Sequence, residues 1–227
     1  MRRPRGSTGA AKATLTDVVS ISERPAEAED RAVPGHWEGD LILGSNCRSA
    51  IATLVERTTR FVLLVHLPAG HSAAAVRDAM IPTISTLPEQ LRRSLAWDRG
   101  TELARHRDIT LATGLDIYFC DPHSPWQRGS NENNGLLRQY FPKGTDLSVH
   151  TTEELARVAA ELNSRSRTTL GGVTPAAASD RGEPASRCPR GPSGPGDTHV
   201  PRGRQPAKFL TRDKYTWRLP RVGRAAA

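Results

Sequence analysis

Hydrophobic and polar positions alternate in three short runs that begin at residue 36. The runs are HWEGDLIL at 36–43, SAIATLVE at 49–56 and RFVLLVHL at 60–67, with short polar segments between them. Apolar runs of this length with tight connections are typical of neighbouring strands. Their spacing along the chain predicts an antiparallel meander.

A helical period replaces this alternation between residues 71 and 88. Val76, Met80 and Ile84 fall at i, i+4 and i+8, which places them on one face of a helix. Pro82 lies inside the same segment. Because proline has no N–H and its ring presses on the preceding turn, we expect it to kink this helix or to split it in two.

The following segments alternate between strand-like and helical patterns. They are strands at 94–97 and 115–120 and helices at 101–114 and at about 131–140. Thr151 and Glu154 then have the spacing of a capping box, which predicts the start of another amphipathic helix. Three strands followed by this alternation predict an α/β fold, a mixed five-stranded sheet flanked by helices.

The hydrophobic periodicity is missing towards both ends of the chain, and these end segments are also the most positively charged. We expect an irregular basic segment at 1–34, one domain at 35–175 and a disordered tail rich in Pro, Gly and Arg at 176–227. The net charge of +8 consists of +4 over residues 1–12, +7 over the tail and −3 over the rest. Basic arms suit contact with a polyanion such as DNA, although two solvated ends fit the composition equally well.

The cysteines and the hydropathy exclude several classes of protein. Cys47, Cys120 and Cys188 are odd in number and widely spaced, so they indicate neither a zinc site nor a disulfide framework. The sequence has no apolar run of membrane-spanning length and no signal-peptide core. We therefore expect a soluble cytoplasmic protein with no membrane association.

Three carboxylates fall at element ends or inside strands. Asp40 lies within the first strand, where alternation places it on the face of His36 and Ile42. Asp98 ends the fourth strand and Glu132 opens the helix after the fifth. Side chains at such positions can converge on one crevice, where they repel unless a divalent cation neutralises them. Oxygen ligands favour Mg²⁺ or Mn²⁺.

Each acid also has an ordinary structural interpretation. Asp98 precedes Arg-Gly, a common turn, and Glu132 in the first turn of a helix is a usual helix start. Asp40 is the hardest to explain in this way, because an acid in the middle of a strand needs a partner. Arg48 or a histidine could supply one.

Five segments resemble the insertion-sequence-thirty family of bacterial transposases. They are VPGHWEGDLILG, RSAIATLVERTTRFVLLVHLP, LAWDRGTELARH, YFCDPHSPWQRGSNEN and GLLRQYFPKGTDLS, and the resemblance runs to about Pro175. The 33 residues between Asp98 and Glu132 agree with the family's spacing. The resemblance implies the RNase H-like catalytic core of DDE transposases and retroviral-type integrases, here at 35–175.

The same resemblance implies an activity and a set of ligands. Asp40, Asp98 and Glu132 become a catalytic triad that binds two Mg²⁺ or Mn²⁺ ions. The expected enzyme is a polynucleotidyl transferase and endonuclease that cleaves and joins DNA strands during transposition. Its expected partners are transposon-end DNA, target DNA and further copies of itself, and its expected location is the bacterial cytoplasm, at the nucleoid.

Five polar or aromatic residues near Glu132 are candidates for contact with DNA. Trp126, Gln127 and Arg128 could position a phosphate or stack on a base, and Arg138 and Lys143 could contact the phosphate backbone. In the alternative interpretation Trp126 packs under its loop and the charged side chains are solvated.

The sequence departs from the family in four places. The family motif Glu-Asn-x-Asn-Gly is shorter by one residue here, at 132–135. Because one residue rotates a helix by about 100°, either the start of the helix re-forms or the Glu132 side chain points away from the metal ions. Pro82 interrupts a helix that is expected to be unbroken in the family. This sequence has no room for the family's N-terminal helix-turn-helix region, and after Pro175 it no longer resembles the family sequence. These departures predict a truncated or impaired copy. The alternatives are an RNase H-like nuclease without strand transfer, or an inactive fragment that binds DNA or pairs with a full-length transposase.

Overall fold

The computed structural model describes residues 15–122, 124, 127 and 131–181, with 131–133 and 181 described as backbone only. Its centre is a five-stranded sheet in the order β3-β2-β1-β4-β5. The strands are β1 (His36–Leu43), β2 (Ala50–Glu56), β3 (Val62–Leu67), β4 (Ser94–Trp97) and β5 (Asp116–Phe119).

The sheet is mixed, as the sequence pattern predicts. β1, β2 and β3 form an antiparallel meander, while β4 pairs in parallel with β1 and β5 pairs in parallel with β4. Every predicted strand is present, with ends that differ from the predicted ones by two residues or fewer. The predicted α/β fold class is therefore confirmed.

Helices cover both faces of the sheet. They are α1 (Glu27–Asp30), α2 (Ala73–Ser85), α3 (His106–Thr113), α4 (Asn131–Leu137), α5 (Thr152–Asn163) and α6 (Pro175–Arg181). The predicted cap of α5 is present, since the Thr151 side chain accepts a hydrogen bond from the Glu154 N–H. Along the described part of the chain, no helix combines the length and the hydropathy needed to cross a bilayer.

Strand alternation divides the apolar side chains into two cores. One core contains Trp37 and Trp97 with the buried stripe of α2 and with Ile109 of α3. The other lies on the opposite face, where Ile42 of β1 packs with Leu137 of α4 and with the apolar stripe of α5. α4 and α5 therefore cover the face of β1 that carries the even-numbered residues.

The helix that contains Pro82 is not split. α2 runs without a break from Ala73 to Ser85, so the expectation of two separate helices is wrong. Pro82 and Asp78, whose carbonyl loses its intrahelical donor to proline, are both exposed, so water can reach this turn. The opposite stripe of Val76, Met80 and Ile84 is fully buried and holds both halves of the helix on the sheet.

The structure describes part of each predicted terminal segment. The described part of 1–34 contains α1 and a short 3-10 helix, and it buries Ile21 and Ala28. Towards the other end, α6 continues the fold past the predicted boundary at residue 175. The predicted disorder of the arms concerns residues 1–14 and 182–227, which lie outside the described residues.

In each edge strand of the sheet, another part of the chain forms hydrogen bonds to the backbone of one residue, Val62 in β3 and Phe119 in β5. The amide of Asn163, which is buried at the end of α5, donates to the Val62 carbonyl at 2.9 Å and accepts from its N–H at 2.8 Å. At the other edge the Phe119 N–H of β5 donates to the Val19 carbonyl at 2.9 Å. The N-terminal segment and the last turn of α5 therefore reach opposite ends of the same sheet.

A polar layer lies beneath α1, on the even-numbered face of β1. Glu38 is 1% exposed and forms an ion pair with Arg57, and His36 is equally buried. His36 Nε2 faces Glu27 Oε1 at 3.3 Å and Nδ1 faces the Ser94 hydroxyl at 2.7 Å. Since a carboxylate only accepts, Nε2 carries the proton and Nδ1 accepts from serine. Burial lowers the pKa of His36 below its ordinary value, and Glu27 offsets part of this shift.

Gly39 leaves room for the Trp97 ring of β4, on the face of β1 opposite the polar layer. A Cβ atom at Gly39 would lie 2.1 Å from two ring atoms of Trp97 and 3.2 Å from the side chain of Leu95. The Trp97 ring is fully buried and is fixed at its other end, where Nε1 donates to Glu102 at 3.0 Å. Only glycine at position 39 leaves the space that this ring fills.

We expect Gly39→Ala to lower the free energy of unfolding by about 2–3 kcal/mol, because a rigid ring and a strand must move apart to admit the methyl group. Urea unfolding measures this change. Gly135→Ala is the matched control, since a Cβ there meets nothing within 4 Å and the residue is helical. The control should gain up to about 1 kcal/mol. Equal effects of the two substitutions would show that the Trp97 contact does not limit position 39.

Protonation of His36 should destabilise the fold as the pH falls. Its folded pKa is lowered, so the unfolded chain binds the proton more readily, and stability is complete above the ordinary pKa of about 6.5 and decreases below it. Urea unfolding at about pH 7.5 and 5.5 should show a larger loss for the unmodified chain than for His36→Gln, which keeps a donor and an acceptor without titrating. Identical losses would contradict this assignment.

Candidate active site

Asp40 lies near the middle of β1 and points to the face that α4 and α5 cover. Its neighbour Ile42, two residues along the strand, packs in the core on that face. The carboxylate is partly buried, and its Oδ1 accepts a hydrogen bond of 2.8 Å from the Leu41 N–H. The predicted alternation of the strand is therefore correct at Asp40.

Asp98 follows β4 directly, and the parallel register of β4 with β1 relates it to Asp40. His36 pairs with Ser94 and Glu38 with Ala96, and the pairing ends there, two residues before Asp40 and Asp98. Neighbouring strands lie about 4.8 Å apart, and equal alternation puts residues at one register position on the same face. If the register continued by two residues, Asp40 would lie beside Asp98, which is 58 positions away in the sequence.

The start of α4 lies over Asp40. Asn134 Nδ2 donates to Asp40 Oδ2 at 2.7 Å, and Asn134 Oδ1 lies 3.4 Å from the hydroxyl of Thr53 on β2. Leu137, in the next turn of α4, is fully buried and anchors the helix in the core. The structure therefore brings the helix that carries Glu132 against Asp40. The Glu132 side chain is outside the described residues, and its part in the triad stays a prediction.

The described oxygen atoms fit a hard divalent cation. Two neighbouring carboxylates repel each other when both are ionised, and a cation between them removes this repulsion. Carboxylate, hydroxyl and amide oxygens are the ligands that Mg²⁺ and Mn²⁺ prefer. Among the side chains that the structure describes, no three acids, histidines or cysteines form a metal-binding group.

The residues predicted to contact DNA have different surroundings. Trp126 and Arg128 lie outside the described residues. Gln127 is bonded to Asp121, donating to its carboxylate at 2.9 Å and accepting from its N–H at 2.8 Å. Lys143 is exposed in the turn after α4.

Arg138 is held by the protein itself. It donates to the carbonyls of Leu43 and Phe141 at 3.3–3.4 Å, and burial lowers the pKa of its guanidinium. The described geometry therefore gives Arg138 a part in joining α4 to the end of β1. Its contact with DNA, like that of Lys143, stays a prediction.

Sequence reasoning missed three residues that shape this site: Gly39, Thr53 and Asn134. Gly39 could have been noticed, because a glycine inside a strand often marks a close approach. Thr53 is a hydroxyl residue in an otherwise apolar part of β2. Asn134 gave no such signal, since its role depends on the angle at which α4 crosses β1.

Comparison with protein families gives a match to the integrase core domain over residues 30–125. This range begins in α1 and contains all five strands together with Asp40 and Asp98. The matched part is therefore the sheet and the helices α2 and α3 that pack on one of its faces.

Several transposases are similar to this chain over most of its length. The transposase of insertion sequence element IS1086 from Cupriavidus metallidurans is 51% identical over 175 residues, which are 77% of this chain and 51% of that protein. Transposase InsI of IS30A from Escherichia coli is 52% identical over 74% of this chain and 44% of its own length. The chain thus spans about half the length of the curated relatives it matches.

A solved structure gives the same fold at low identity. The cryoEM structure of the simian T-cell lymphotropic virus intasome, in complex with PP2A regulatory subunit B56 gamma, matches 76% of this chain and 62% of its own with a TM-score of 0.51 and 17% identity. This likeness confirms the expected RNase H-like sheet. Over about three quarters of its length the chain is similar to transposases of the IS30 family, and its sheet lies within the part that matches the integrase core domain.

Proposed function

We propose that this chain is the catalytic domain of a DDE transposase, which cuts DNA at the end of a mobile element and joins that end to target DNA. The observation that carries the proposal is the hydrogen bond from Asn134, on the helix that contains Glu132, to Asp40 of β1, together with the parallel register of β1 and β4 that runs towards Asp40 and Asp98. The identity of about one half to transposases over the same residues supports it.

In this proposal the protein side chains act as ligands and as positioning groups. Asp40, Asp98 and Glu132 hold two Mg²⁺ or Mn²⁺ ions, which when bound lower the pKa of a water molecule and stabilise a leaving oxygen. The attacking group is water in the cleavage step and a DNA 3′-hydroxyl in the joining step. No side chain attacks phosphorus, so no covalent bond forms between the enzyme and DNA.

The partners follow from the same proposal. Transposon-end and target DNA would reach the aspartates, and Trp126, Gln127 and Arg128 stay the predicted contacts that position a phosphate or a base there. Lys143 is exposed close to the same helix and suits contact with a phosphate. The net charge of +8, with +4 in the first 12 residues, favours a polyanion. Further copies of the chain would complete the assembly.

One observation favours a second candidate, an inactive fragment that binds DNA or pairs with a longer transposase. A helix turns about 100° per residue, so positions 132 and 134 lie about 200° apart around α4. Position 134 faces Asp40. With one more residue between them the two positions would be about 300° apart, and therefore on nearly the same side. The shortened sequence thus separates the glutamate position from the side of α4 that meets the aspartates.

Removal of one proposed ligand should weaken metal binding. We expect Asp40→Asn to weaken Mn²⁺ binding by at least about tenfold, the lower end of what even an outer-shell change produces. Calorimetric titration of the whole chain measures this. Asp116→Asn is the matched control, since it removes the same charge at an exposed position at the start of β5. Equal weakening by both variants would leave only a general charge effect and would contradict the assignment.

Insertion of one alanine between Asn133 and Asn134 should decide between the two candidates. If the unmodified chain is impaired, the insertion should strengthen Mn²⁺ binding by about tenfold or more, because it adds a ligand rather than an outer-shell contact. Nicking and joining of a supercoiled plasmid in Mn²⁺ provide the activity readout.

The products of that assay have distinct meanings. Nicking and joining by the unmodified chain support the transposase. Nicking alone supports the nuclease without strand transfer, and activity only after the insertion supports the inactive fragment. Nicking that persists in Asp40→Asn would contradict the proposed site.

A further inference from the structure

We infer that Asn134 is a ligand of the metal site proposed above, and that its side-chain amide flips when the cation binds, so that its oxygen and nitrogen exchange places. The inference rests on the proposed function and extends it to a residue of α4 outside the predicted triad. It starts from two contacts of one amide group, to Asp40 on β1 and to Thr53 on β2.

In the first contact, a polar hydrogen of the Asn134 amide lies next to the Asp40 carboxylate oxygen that would attract a cation. Asn134 Nδ2 lies 2.7 Å from Asp40 Oδ2 and donates a hydrogen bond to it. Without a metal ion, this N–H offsets part of the negative charge of the Asp40 carboxylate. The amide therefore stabilises the metal-free carboxylate through a polar hydrogen atom instead of a cation.

The second contact shows that this amide orientation is imperfect. The Thr53 hydroxyl has one hydrogen atom but faces two acceptors, the Asp40 carbonyl at 3.2 Å and Asn134 Oδ1 at 3.4 Å. If the amide turned by about 180°, Nδ2 would face the hydroxyl and donate to it. Thr53 could then donate to the Asp40 carbonyl and accept from Asn134 at the same time. The polar groups around Thr53 thus favour the turned amide.

A turned amide is stable only with a cation beside it. Asn134 Oδ1 would then lie next to Asp40 Oδ2, and two oxygen atoms in contact repel unless a positive charge lies between them. Two adjacent ligands of an octahedral Mg²⁺, each about 2.1 Å from the ion, lie about 3.0 Å apart. The observed separation of 2.7 Å needs an adjustment of a few tenths of an ångström to reach this value. Asp40 and Asn134 can therefore share one ion.

This arrangement gives the site an oxygen ligand from α4 at the position that faces Asp40. Leu137 fixes the helix in the core, and Asn134 lies one turn before it on the same side. The ligand therefore does not depend on how residue 132 is oriented. It also explains why a neutral amide, and not a third acid, faces Asp40: the metal-free chain keeps a hydrogen bond there.

Substitution of Asn134 tests the inference by Mn²⁺ binding in the whole chain, measured from the electron paramagnetic resonance signal of free Mn²⁺. Asn134→Asp places a third carboxylate beside the pair and should bind Mn²⁺ about tenfold more tightly, whereas Asn134→Ala should bind it about tenfold more weakly. Asn46→Asp, the same change on an exposed loop, is the control and should match the unmodified chain. Circular dichroism confirms folding of each variant.

A second measurement follows the amide itself and does not depend on a substitution at the site being tolerated. In a ¹⁵N-labelled chain, the side-chain NH₂ signal that is missing from Asn134→Asp should shift when Mg²⁺ is added, because its partner changes from Asp40 to Thr53. The signal should stay in place when Mg²⁺ is added to Asp40→Asn.

The outcomes separate this inference from the proposed function. If Asp40→Asn loses Mn²⁺ but both Asn134 variants bind it as the unmodified chain does, the metal site stands and Asn134 is not a ligand. If Asn46→Asp strengthens binding as much as Asn134→Asp, bulk charge explains the gain and the inference falls. If Asp40→Asn also binds normally, the proposed site and the inference fail together.

Discussion

The close packing of the Trp97 ring on Gly39 is the contact on which the candidate site depends. It lies on the face of the sheet opposite Asp40, and it leaves no room for a Cβ atom between β1 and β4. Asp40 and Asp98 are each the next residue along these two strands. The backbone that carries the two aspartates is therefore supported by an apolar contact on the other face. A metal site built in this way inherits the rigidity of the core beneath it.

A second constraint comes from α4, because a helix has only one rotation that satisfies its core contacts. Leu137 must face the core, and this requirement also directs Asn134 at Asp40. The length of the chain between the glutamate and this anchored turn then decides which residue faces the carboxylates. A single-residue change at the start of the helix can thus exchange one candidate ligand for another while the fold stays the same.

Most of the fold was predictable because its signals are local. Alternation in β1 identified the face of Asp40, and the apolar stripe of α2 identified its buried side even though Pro82 suggested a break. The packing of residues 20–31 was not predictable, since Ile21 and Ala28 are too few to form a period and are buried by distant strands. The relation of Asp40 to Asp98 depends on the register of β1 with β4, and the Asn134 contact depends on the angle at which α4 crosses β1. A local sequence pattern predicts neither quantity.

The single hydrogen-bonded positions at the two sheet edges have a consequence for self-association. An open edge offers its backbone to any other strand, which is a common route to aggregation. Here the Asn163 amide occupies both backbone groups of Val62, and Val19 occupies the N–H of Phe119. A second copy that tried to add a strand at either place would first have to displace these groups. These two residues thus protect part of each sheet edge from pairing with another chain.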